Sequence, residues 1–452
     1  MKKTVATPIC DFVEEYAQKQ TLRLHMPGHK GKGIFGAERD ITEIDGADVL
    51  YHGDGIIRQS EEIAAALFGS AKTIYSTEGS SLSIRAMLTL TAQYARAQGK
   101  TPRILAGRNA HKVFMTAAAL LDLDVEWLYP QEEDSLICCH VTADGLRQRL
   151  VELSELPTAV YLTSPDYLGN TVDLKEIAKV CHEQGILLLV DNAHGAYLRF
   201  LQTSRHPMDR GADLCCDSAH KTLPVLTGGA YLHIAPHAPS FFKERAEQAM
   251  SLFASTSPSY LILQSLDAAN RYLAERYTAR LSAFCARMDQ LKARLSEYGY
   301  SLIGNEPLKL TIVTKPFGYT GDALAKQLAA SGVICEFYDS DFVTMMFTHE
   351  LTDEELSRVE TALLSILPKK EIVEQAPTVR PQQRAMSLHD ALFADSCVLP
   401  IEQCEGRILA EARVACPPAI SIVVCGERMD ASAIRCMQYY GITECRVIIE
   451  EK

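Results

Sequence analysis

The sequence has no long hydrophobic run and no cluster of basic residues. Its longest apolar stretch is of the size of "GILLLVD" (185–191), whereas a membrane-spanning helix needs about 20 apolar residues. Of the 452 residues, 45 are Lys or Arg and 57 are Asp or Glu, which gives a formal net charge of −12. Because the chain is acidic and its cations are scattered, we expect neither a membrane nor a nucleic acid to be its main partner.

Cysteine occurs fourteen times but lacks the spacing of a zinc site. No two cysteines form a C-x-x-C pair, and adjacent pairs occur at 138–139 and 215–216. The N-terminal stretch "MKKTVATPICDFVEEYA" has two lysines but not the apolar segment of a secretory signal. We therefore predict reduced thiols in a cytoplasmic protein, and no bound metal.

Strands and helices alternate along residues 80–235, which is typical of an α/β domain. The apolar segments "RILAG", "TAVYLTSP" and "ILLLVDNAHG" predict strands, and segments such as "SSLSIRAMLTLTAQYARAQG" and "DLKEIAKVCHEQG" predict the helices between them. Strands that are apolar on every residue are typical of a sheet covered by helices on both faces. We therefore predict an α/β fold with a mainly parallel sheet.

The length of the chain suggests two or three domains. After Pro258 two long helical segments reach to about Tyr298, and a smaller α/β pattern follows with "LKLTIV", "ICEFYD" and "FVTMMFT" as strands. The proline-rich and charged stretch "PKKEIVEQAPTVRPQQR" indicates a linker, and "ISIVVCG" predicts a strand beyond it. The predicted division is 1–275 (N-terminal arm and large domain), 276–368 (small α/β domain), 369–385 (linker) and 386–452 (C-terminal α+β module).

Three polar clusters follow predicted strands, and ligands of open α/β sheets collect at the carboxyl ends of strands. The segment "EGSSLS" (78–83) offers a glycine, hydroxyls and the first amides of a helix, which suits a phosphate group, although a simple helix cap is the alternative. In "LLLVDNAHG" Asp191 and His194 come after an apolar strand, where the aspartate could instead cap the next turn. The third cluster, "CDSAHK", contains Ser218, His220 and Lys221.

Lys221 follows an apolar strand, and a buried ammonium is costly unless it is paired or used chemically. A surface lysine on a loop is the simplest alternative. Pyridoxal phosphate requires a lysine for a Schiff base, a carboxylate facing its pyridinium nitrogen and a site for its phosphate. The three clusters supply all of these, with Asp191 and Lys221 thirty residues apart, and His111 at another strand end could stack on the ring. The sequence therefore predicts a pyridoxal phosphate site.

The same residues carry a resemblance to a known family. The segments "LHMPGHKGKG", "RNAHK", "VDNAHGAY", "DSAHKTLPVLTGGAYLH" and "STSPSYLILQSLDAA" resemble, in this order, motifs of the bacterial ornithine/lysine/arginine decarboxylases, and the resemblance covers nearly the whole chain. The chain resembles in particular the shorter members of this family, which lack an N-terminal wing domain. The resemblance implies an aspartate-aminotransferase-like fold (fold type I of pyridoxal phosphate enzymes), with a large domain, a smaller α/β domain and a C-terminal α+β module.

The resemblance also implies a role for each site residue. Lys221 would form the Schiff base, Asp191 would pair with the pyridine nitrogen, and His111 would stack on the ring. His194 would lie near the O3′ side of the cofactor. The implied residues around the phosphate are Gly79, Ser80, Ser81, Ser218 and His220. Thr256, in "STSP" (255–258), would reach the phosphate of the neighbouring subunit, which implies a homodimer with shared active sites, or a higher oligomer.

The sequence departs from the usual pattern of the family in three places. Asn192 replaces the glutamate of "DEAHG", and Glu78 replaces the asparagine before "GS", so we expect the Glu78 carboxylate to point away from a phosphate. Near the C-terminus the family's "YPPGIPLLxPGE" becomes "CPPAISIVVCGE" (416–427). Glu427 matches the last position of that motif, and we predict that it lies near the distal end of the substrate or near the entrance of the site. The alternative is a solvated turn glutamate.

The function that the resemblance implies is α-decarboxylation of a basic amino acid (arginine, lysine or ornithine) to an amine and carbon dioxide. In that reaction Lys221 or His111 would return a proton to Cα. A fold type I aminotransferase or another lyase would share every cofactor residue, although the smaller domain offers no arginine that we can assign to a substrate carboxylate. A catalytically inactive regulatory homologue is a further alternative, which the retained Asp191 and Lys221 disfavour.

Overall fold

The structure is a computed structural model that describes residues 5–19, 21–33, 35–130, 135, 137–412, 415–416 and 420–450. The chain forms two compact units. The first unit comprises Met1–Pro102, Pro157–Leu162 and Leu174–Leu281, and the second comprises Arg103–Leu156, Thr163–Asp173 and Ser282–Lys452.

The helices and strands of the N-terminal part follow one another along the chain much as the sequence pattern predicts. In chain order they are α1 (Pro8–Gln18), α2 (Ile56–Phe68), β1 (Lys72–Ser76), α3 (Ser80–Ala97), β2 (Arg103–Gly107), α4 (Lys112–Leu120), β3 (Asp124–Leu128), α5 (Ala143–Glu152), β4 (Ala159–Thr163), α6 (Leu174–Glu183), β5 (Leu187–Asp191), β6 (Leu214–Asp217), α7 (Ala219–Thr222), β7 (Ala230–Ile234), α8 (Ser240–Ser251), α9 (Tyr260–Tyr272) and α10 (Thr278–Tyr298).

The C-terminal part consists of shorter elements. They are β8 (Ser301–Ile303), β9 (Lys309–Val313), α11 (Gly321–Ala330), β10 (Phe337–Tyr338), β11 (Phe342–Met346), α12 (Asp353–Leu364), β12 (Gln383–Arg384), α13 (Leu388–Phe393), β13 (Ser396–Pro400), β14 (Ala415–Cys416), β15 (Ile420–Ser421), β16 (Glu427–Arg428), α14 (Ala431–Tyr439) and β17 (Glu444–Ile448). Short 3-10 helices lie at Ala196–Phe200, Pro207–Asp209, Lys315–Phe317 and Ile401–Gln403, and a π-helical turn lies at Leu273–Tyr277.

The first unit is built on strands in the order β1-β7-β6-β5-β4. β5 and β6 are parallel, whereas β7 is antiparallel to both β6 and β1. Every residue of β5 and β6 is buried, as expected for strands that are covered on both faces. Because β5 and β6 run in the same direction, the residues that follow them emerge at the same edge of the sheet.

The helices of the first unit bury the faces that their apolar spacing predicts. In α6, Leu174, Ile177, Ala178 and Cys181 are buried at helical spacing. In α3 almost the whole apolar stripe is buried, from Leu82 to Ala95. These elements, and the two long helices after Pro258, confirm the sequence-based predictions.

The second unit combines a parallel pair of strands, β2 and β3, with an antiparallel four-stranded sheet in the order β10-β11-β9-β8. Its C-terminal part has three two-stranded sheets, in which β12 pairs with β16, β13 with β17 and β14 with β15. A separate cluster of buried apolar residues in this part of the chain includes Ile401, Leu409, Val423 and Met437. The C-terminal part therefore has a small core of its own.

One predicted strand is largely wrong. We expected "ISIVVCG" (420–426) to be a strand, but only Ile420–Ser421 pairs as one. The chain turns at Val424, whose N–H donates to the Glu427 carboxylate at 2.7 Å, and Gly426 has a positive φ of 89°. Apolar character alone predicted the strand, whereas the buried carboxylate and the glycine decide the turn.

The fold is an α/β fold with a mainly parallel central sheet, as predicted. The division at 275, 368 and 385 stays a prediction. No helix among the described residues combines the length and apolarity that crossing a membrane requires. The cysteines whose side chains are described carry free thiols.

Candidate functional site

The site of the first unit centres on Lys221. This lysine lies in the short helix α7, directly after β6, and is half-buried. Its Nζ lies 3.0 Å from Nε2 of His194, which follows the neighbouring strand β5 and is buried. Two strand ends thus bring together the two residues that the sequence placed in separate motifs, and Lys221 is not a surface lysine on a loop.

Asp191 is the last residue of β5 and is 3% exposed. Its Oδ2 accepts a hydrogen bond from the Tyr161 hydroxyl at 3.2 Å, and its Oδ1 accepts one from the Ala193 N–H at 3.2 Å. The Cys216 thiol, 3.6 Å from Oδ1, is a third donor. The carboxylate therefore does cap the following turn, and it is also held in place by side chains of β4 and β6.

The donors around Asp191 keep their protons at neutral pH. Burial and the nearby Asp191 charge raise the pKa of Tyr161 well above its ordinary value. The same two causes raise the pKa of the Cys216 thiol. Because Tyr161 and Cys216 both donate to it, the Asp191 carboxylate acts as a hydrogen-bond acceptor. An acceptor is what a protonated ring nitrogen requires as its partner.

The predicted phosphate end of the site lies at the start of α3. The Ser218 hydroxyl donates to Oγ of Ser80 at 2.7 Å, so the "DSAHK" and "EGSSLS" motifs meet. Ser81 is half-buried beside Ser80 in the first turn of this 18-residue helix. The amides that begin a helix and these hydroxyls together form a donor set that suits an anion.

Two glycines allow the chain to approach itself closely at this point. The N–H of Gly79, which has a φ of 71°, donates to the Gly228 carbonyl at 2.7 Å. Gly228 has a φ of 101°, and a Cβ at this position would lie 2.8 Å from the Thr77 carbonyl oxygen. The "TGG" of the motif is therefore explained by close packing of its loop against the end of β1.

His220 has a defined tautomer. Its Nδ1–H donates to the Gly229 carbonyl at 3.0 Å, which leaves Nε2 as an acceptor in the neutral ring. Burial and the neighbouring Lys221 charge lower the pKa of His220, against the effect of the Gly229 bond. In this state the ring has no second N–H to offer, so the serine hydroxyls and the helix amides are the better phosphate donors.

The carboxylate of Glu78 is engaged by the "STSP" segment. Its Oε1 accepts the Ser255 N–H at 2.7 Å, while the Glu78 N–H donates to Ser76. Thr256, the next residue, is exposed. The contact ties this segment to the chain just before Gly79, and its action on a neighbouring subunit stays a prediction.

His111 and Glu427 belong to the second unit. His111 precedes α4, and its Nδ1 accepts the Val113 N–H at 3.2 Å. Glu427 is 3% exposed and lies 3.4 Å from Arg108, so it is not a solvated turn residue. Burial raises the pKa of Glu427, against the effect of Arg108. The roles predicted for His111 at the ring and for Glu427 near the substrate stay predictions.

Arg108 is a residue that the sequence-based reasoning missed. It is buried, and besides Glu427 it donates to the carbonyls of Ser421 (2.8 Å) and Ile422 (3.1 Å). It also lines a cavity of about 880 Å³ within the second unit. Its position directly before the motif "NAHK" could have marked it as a site residue. Its contacts with Ser421, Ile422 and Glu427, in the segment that departs from the family pattern, depend on the fold.

A buried network around Asp217 was also missed. Its Oδ1 accepts from the Asn192 side-chain amide at 2.7 Å, and its Oδ2 lies 2.9 Å from Nε2 of His206 and 3.2 Å from Nε2 of His233. Burial opposes ionisation, but the two histidines outweigh it and lower the pKa of Asp217. Asn192, which departs from the family pattern, thus acts as a donor that links the end of β5 to the end of β6.

The residues of the first unit fit pyridoxal phosphate. An amine, a buried carboxylate and a set of hydroxyl and amide donors lie at one edge of the sheet, on Lys221, Asp191, Ser80 and Ser218. Each of the three requirements of the cofactor is met by a different strand end. The aspartate ends β5 and the lysine follows β6, and these two neighbouring strands are parallel, as the sequence pattern predicts.

The chain matches two family models. One, described as "Orn/Lys/Arg decarboxylase, major domain", matches residues 7–298, and the other, "Orn/Lys/Arg decarboxylase, C-terminal domain", matches residues 370–445. An arginine decarboxylase of Halalkalibacterium halodurans is 30% identical, over 94% of this chain and 92% of that protein. An arginine decarboxylase of Bacillus subtilis is 29% identical, over 93% of this chain and 91% of that protein.

Solved structures with the same fold include two lysine decarboxylases. The constitutive enzyme of E. coli superposes with a TM-score of 0.78 at 16% identity, covering 98% of this chain and 82% of that one. Lysine decarboxylase A from Pseudomonas aeruginosa superposes with a TM-score of 0.79 at 17% identity, covering 96% of this chain and 75% of that one. A serine palmitoyltransferase of Sphingomonas wittichii superposes with a TM-score of 0.57 at 15% identity, covering 79% of this chain and 83% of that one. These similarities confirm the fold type I architecture.

Proposed function

The chain belongs to the Orn/Lys/Arg decarboxylase family, and from that premise we propose that it decarboxylates arginine with pyridoxal phosphate as its cofactor. Decarboxylation of a basic amino acid is the activity of the family. The observation that carries the assignment to this chain is the Lys221–His194 pair beside the buried Asp191. Lys221 and Asp191 supply the Schiff-base amine and the carboxylate for the ring nitrogen that pyridoxal phosphate requires.

Pyridoxal phosphate, when bound, supplies the electron sink for the bond between Cα and the leaving carboxylate. Lys221 would hold the cofactor through its amine, and Asp191 would keep a proton on the ring nitrogen. Ser80, Ser81, Ser218 and the amides at the start of α3 would hold the phosphate. All of these groups are in the first unit, and Asp191 ends a strand that is buried at every residue.

The Lys221–His194 contact gives the amine a proton partner. At 3.0 Å a proton can be shared between Nζ and Nε2, so His194 can take a proton from the ammonium or give one back. After carbon dioxide has left, Cα needs one proton, and Lys221 is the donor that the first unit offers. His111 is the second candidate donor.

Arginine is proposed as the substrate because four relatives that align over nine tenths of this chain are named arginine decarboxylases. The structural neighbours named lysine decarboxylases are 16% and 17% identical and support the fold alone. The product amine would be a precursor for polyamine biosynthesis. A guanidinium substrate needs a carboxylate or carbonyl partner in its pocket, for which Glu427 is the candidate.

We further propose that the enzyme is a homodimer with shared active sites and acts in the cytoplasm. The exposed Thr256 supports a shared site, because its segment is fixed at Ser255 by Glu78 while its own side chain is free to reach a second subunit. The free thiols support a reducing compartment.

The substrate is tested with a panel of arginine, lysine and ornithine. Purified protein loaded with pyridoxal phosphate is assayed for carbon dioxide, and the amine product is identified by mass spectrometry. We expect kcat/KM for arginine to exceed that for the other two by at least about tenfold, equivalent to about 1.4 kcal/mol. Turnover of lysine or ornithine alone would contradict the choice of substrate, and transamination without carbon dioxide would contradict the reaction.

A further inference from the structure

Three metal-ligating side chains come together at the edge of the sheet opposite the site described above. His182 lies in the last turn of α6, Asp213 directly precedes β6, and His237 follows β7. Asp213 is at the amino end of β6, whereas Lys221 lies beyond its carboxyl end. Each residue of a strand adds about 3.3 Å, so the cluster is separated from the lysine by the length of the strand.

The ligand atoms of the cluster are at metal-site distances. Nε2 of His182 lies 3.0 Å from Oδ2 of Asp213, and Nε2 of His237 lies 3.5 Å from Oδ1. All three donor atoms fall within 4.8 Å of one another. Two ligands that bind one zinc ion at ordinary bond lengths and a tetrahedral angle are about 3.3 Å apart. The cluster therefore needs little movement to close around an ion.

The carboxylate of the cluster is fixed, while the two imidazoles face solvent. The side chain of Asp213 is 5% exposed, and its Oδ2 also accepts the Leu188 N–H at 2.7 Å. The side chains of His182 and His237 are 39% and 44% exposed, with their rings 5.4 Å apart. A ligand carboxylate held by a second hydrogen bond and an open side for water are features of built metal sites.

The buried cluster of His206, Asp217 and His233 provides a contrast within the same unit. Its three side chains are fully buried, and the Asp217 carboxylate also accepts the Asn192 amide. Its donors and acceptors are matched, and no solvent reaches it. Histidine–aspartate contacts alone thus do not define a site, and it is the exposure of the imidazoles that distinguishes the first cluster.

We propose that His182, Asp213 and His237 bind a divalent transition-metal ion of the zinc class, with water completing the coordination. Two imidazoles and one carboxylate form a ligand set that zinc accepts. The ion would join the end of α6, the start of β6 and the segment after β7, three parts of the chain that are distant in sequence. Its role would be structural, since the decarboxylation chemistry lies at the other edge of the sheet.

The test compares three forms of the enzyme loaded with pyridoxal phosphate and freed of metal by a chelator. They are the wild type, the double variant His182→Gln/His237→Gln, and the control His52→Gln, which removes another exposed histidine of the same unit. Zinc binding is measured by competition with a chromophoric chelator, and the thermal midpoint is recorded with and without zinc. Asp213 is left unchanged because it also holds the Leu188 N–H.

We expect the wild type and the control to bind one more equivalent of zinc than the double variant and to gain several degrees in thermal midpoint. Cysteines that bind zinc would do so equally in all three proteins, so the difference reports the cluster. Each single variant should weaken binding by about tenfold or more, which keeps the test valid if the double variant does not fold. Equal stoichiometry and affinity in the wild type and the variants would overturn the proposal.

Discussion

The side-chain nitrogen of Lys221 lies 3.0 Å from Nε2 of His194, at the ends of two parallel strands. Neither residue is unusual in sequence, since both belong to short motifs that also allow a purely structural interpretation. Their contact makes the lysine part of a buried polar edge that also contains Asp191.

Replacement of Lys221 by alanine should abolish both turnover and the visible absorbance of lysine-bound pyridoxal phosphate. The reason is that Lys221 supplies the amine that contacts His194 at the proposed cofactor site, and a methyl group cannot form a Schiff base. The matched control is Lys243→Ala, which removes an exposed lysine of the same unit. A purified Lys221→Ala protein that kept the absorbance and the activity would contradict the cofactor assignment.

Replacement of Asp191 by asparagine should leave the protein folded and lower kcat by at least about a hundredfold, because the ring nitrogen would lose its charged partner. Tyr161→Phe removes only one hydrogen bond to the same carboxylate, so its loss should be much smaller. Steady-state rates and circular dichroism measure both effects. If kcat fell only slightly and equally in the two variants, the role of Asp191 would be limited to capping the turn through its bond with the Ala193 N–H.

Mixing of two inactive variants tests whether Thr256 acts on a neighbouring subunit. If it does, Lys221→Ala and a Thr256 variant that is inactive on its own should regain activity after subunit exchange, because one site of the mixed dimer is intact. Activity approaching about a quarter of the wild-type value is expected for random exchange with half of the subunits from each variant. Confirmed exchange without any recovery would place both residues in one chain's site.

Glu427→Gln separates a substrate role from a packing role. If Glu427 binds the cationic substrate, KM should rise much more than kcat falls, as expected when uniform binding is removed. Its buried contact with Arg108 predicts in addition a loss of unfolding free energy of about 1–3 kcal/mol, since the arginine loses a charged partner. Urea unfolding and kinetics on the best substrate are both needed. Lost stability with unchanged KM would make the residue structural.

The buried Glu61 should give the protein a pH-dependent stability. Burial raises the pKa of Glu61 to about 8, although the Tyr75 N–H bonds its carboxylate at 2.9 Å. The folded-state pKa lies above the unfolded one, so the neutral form stabilises the fold at low pH. This contribution is present below about pH 4.5 and is lost as the pH rises towards 8.

Glu61→Gln removes that titration and keeps an acceptor for Tyr75. The unfolding free energy of the variant, relative to the wild type, should therefore rise between pH 5 and 8 by on the order of a few kcal/mol. Glu62→Gln, which changes the exposed neighbour, is the control. A difference between variant and wild type that is flat over this pH range would show that the carboxylate ionises freely.

Local sequence pattern was enough to predict the α/β class and the order of the elements around the site. Strands such as β5 are apolar at nearly every residue, and helices such as α6 have apolar residues at helical spacing, so local pattern was sufficient for both. The positions of Asp191 and Lys221 followed as well, because polar residues that end parallel strands must emerge at one edge.

The contacts between side chains could not be predicted in this way, because they depend on how distant segments fold together. Lys221–His194, Ser218–Ser80 and Glu78–Ser255 join residues that are 27, 138 and 177 positions apart, and no local pattern encodes such distances. Arg108 and Glu427 are also distant in sequence, and local pattern did not predict their contact. The strand predicted at 420–426 was largely wrong for the same reason. Hydrophobic periodicity reports burial, whereas hydrogen-bond partners and turns depend on which segments the fold brings together.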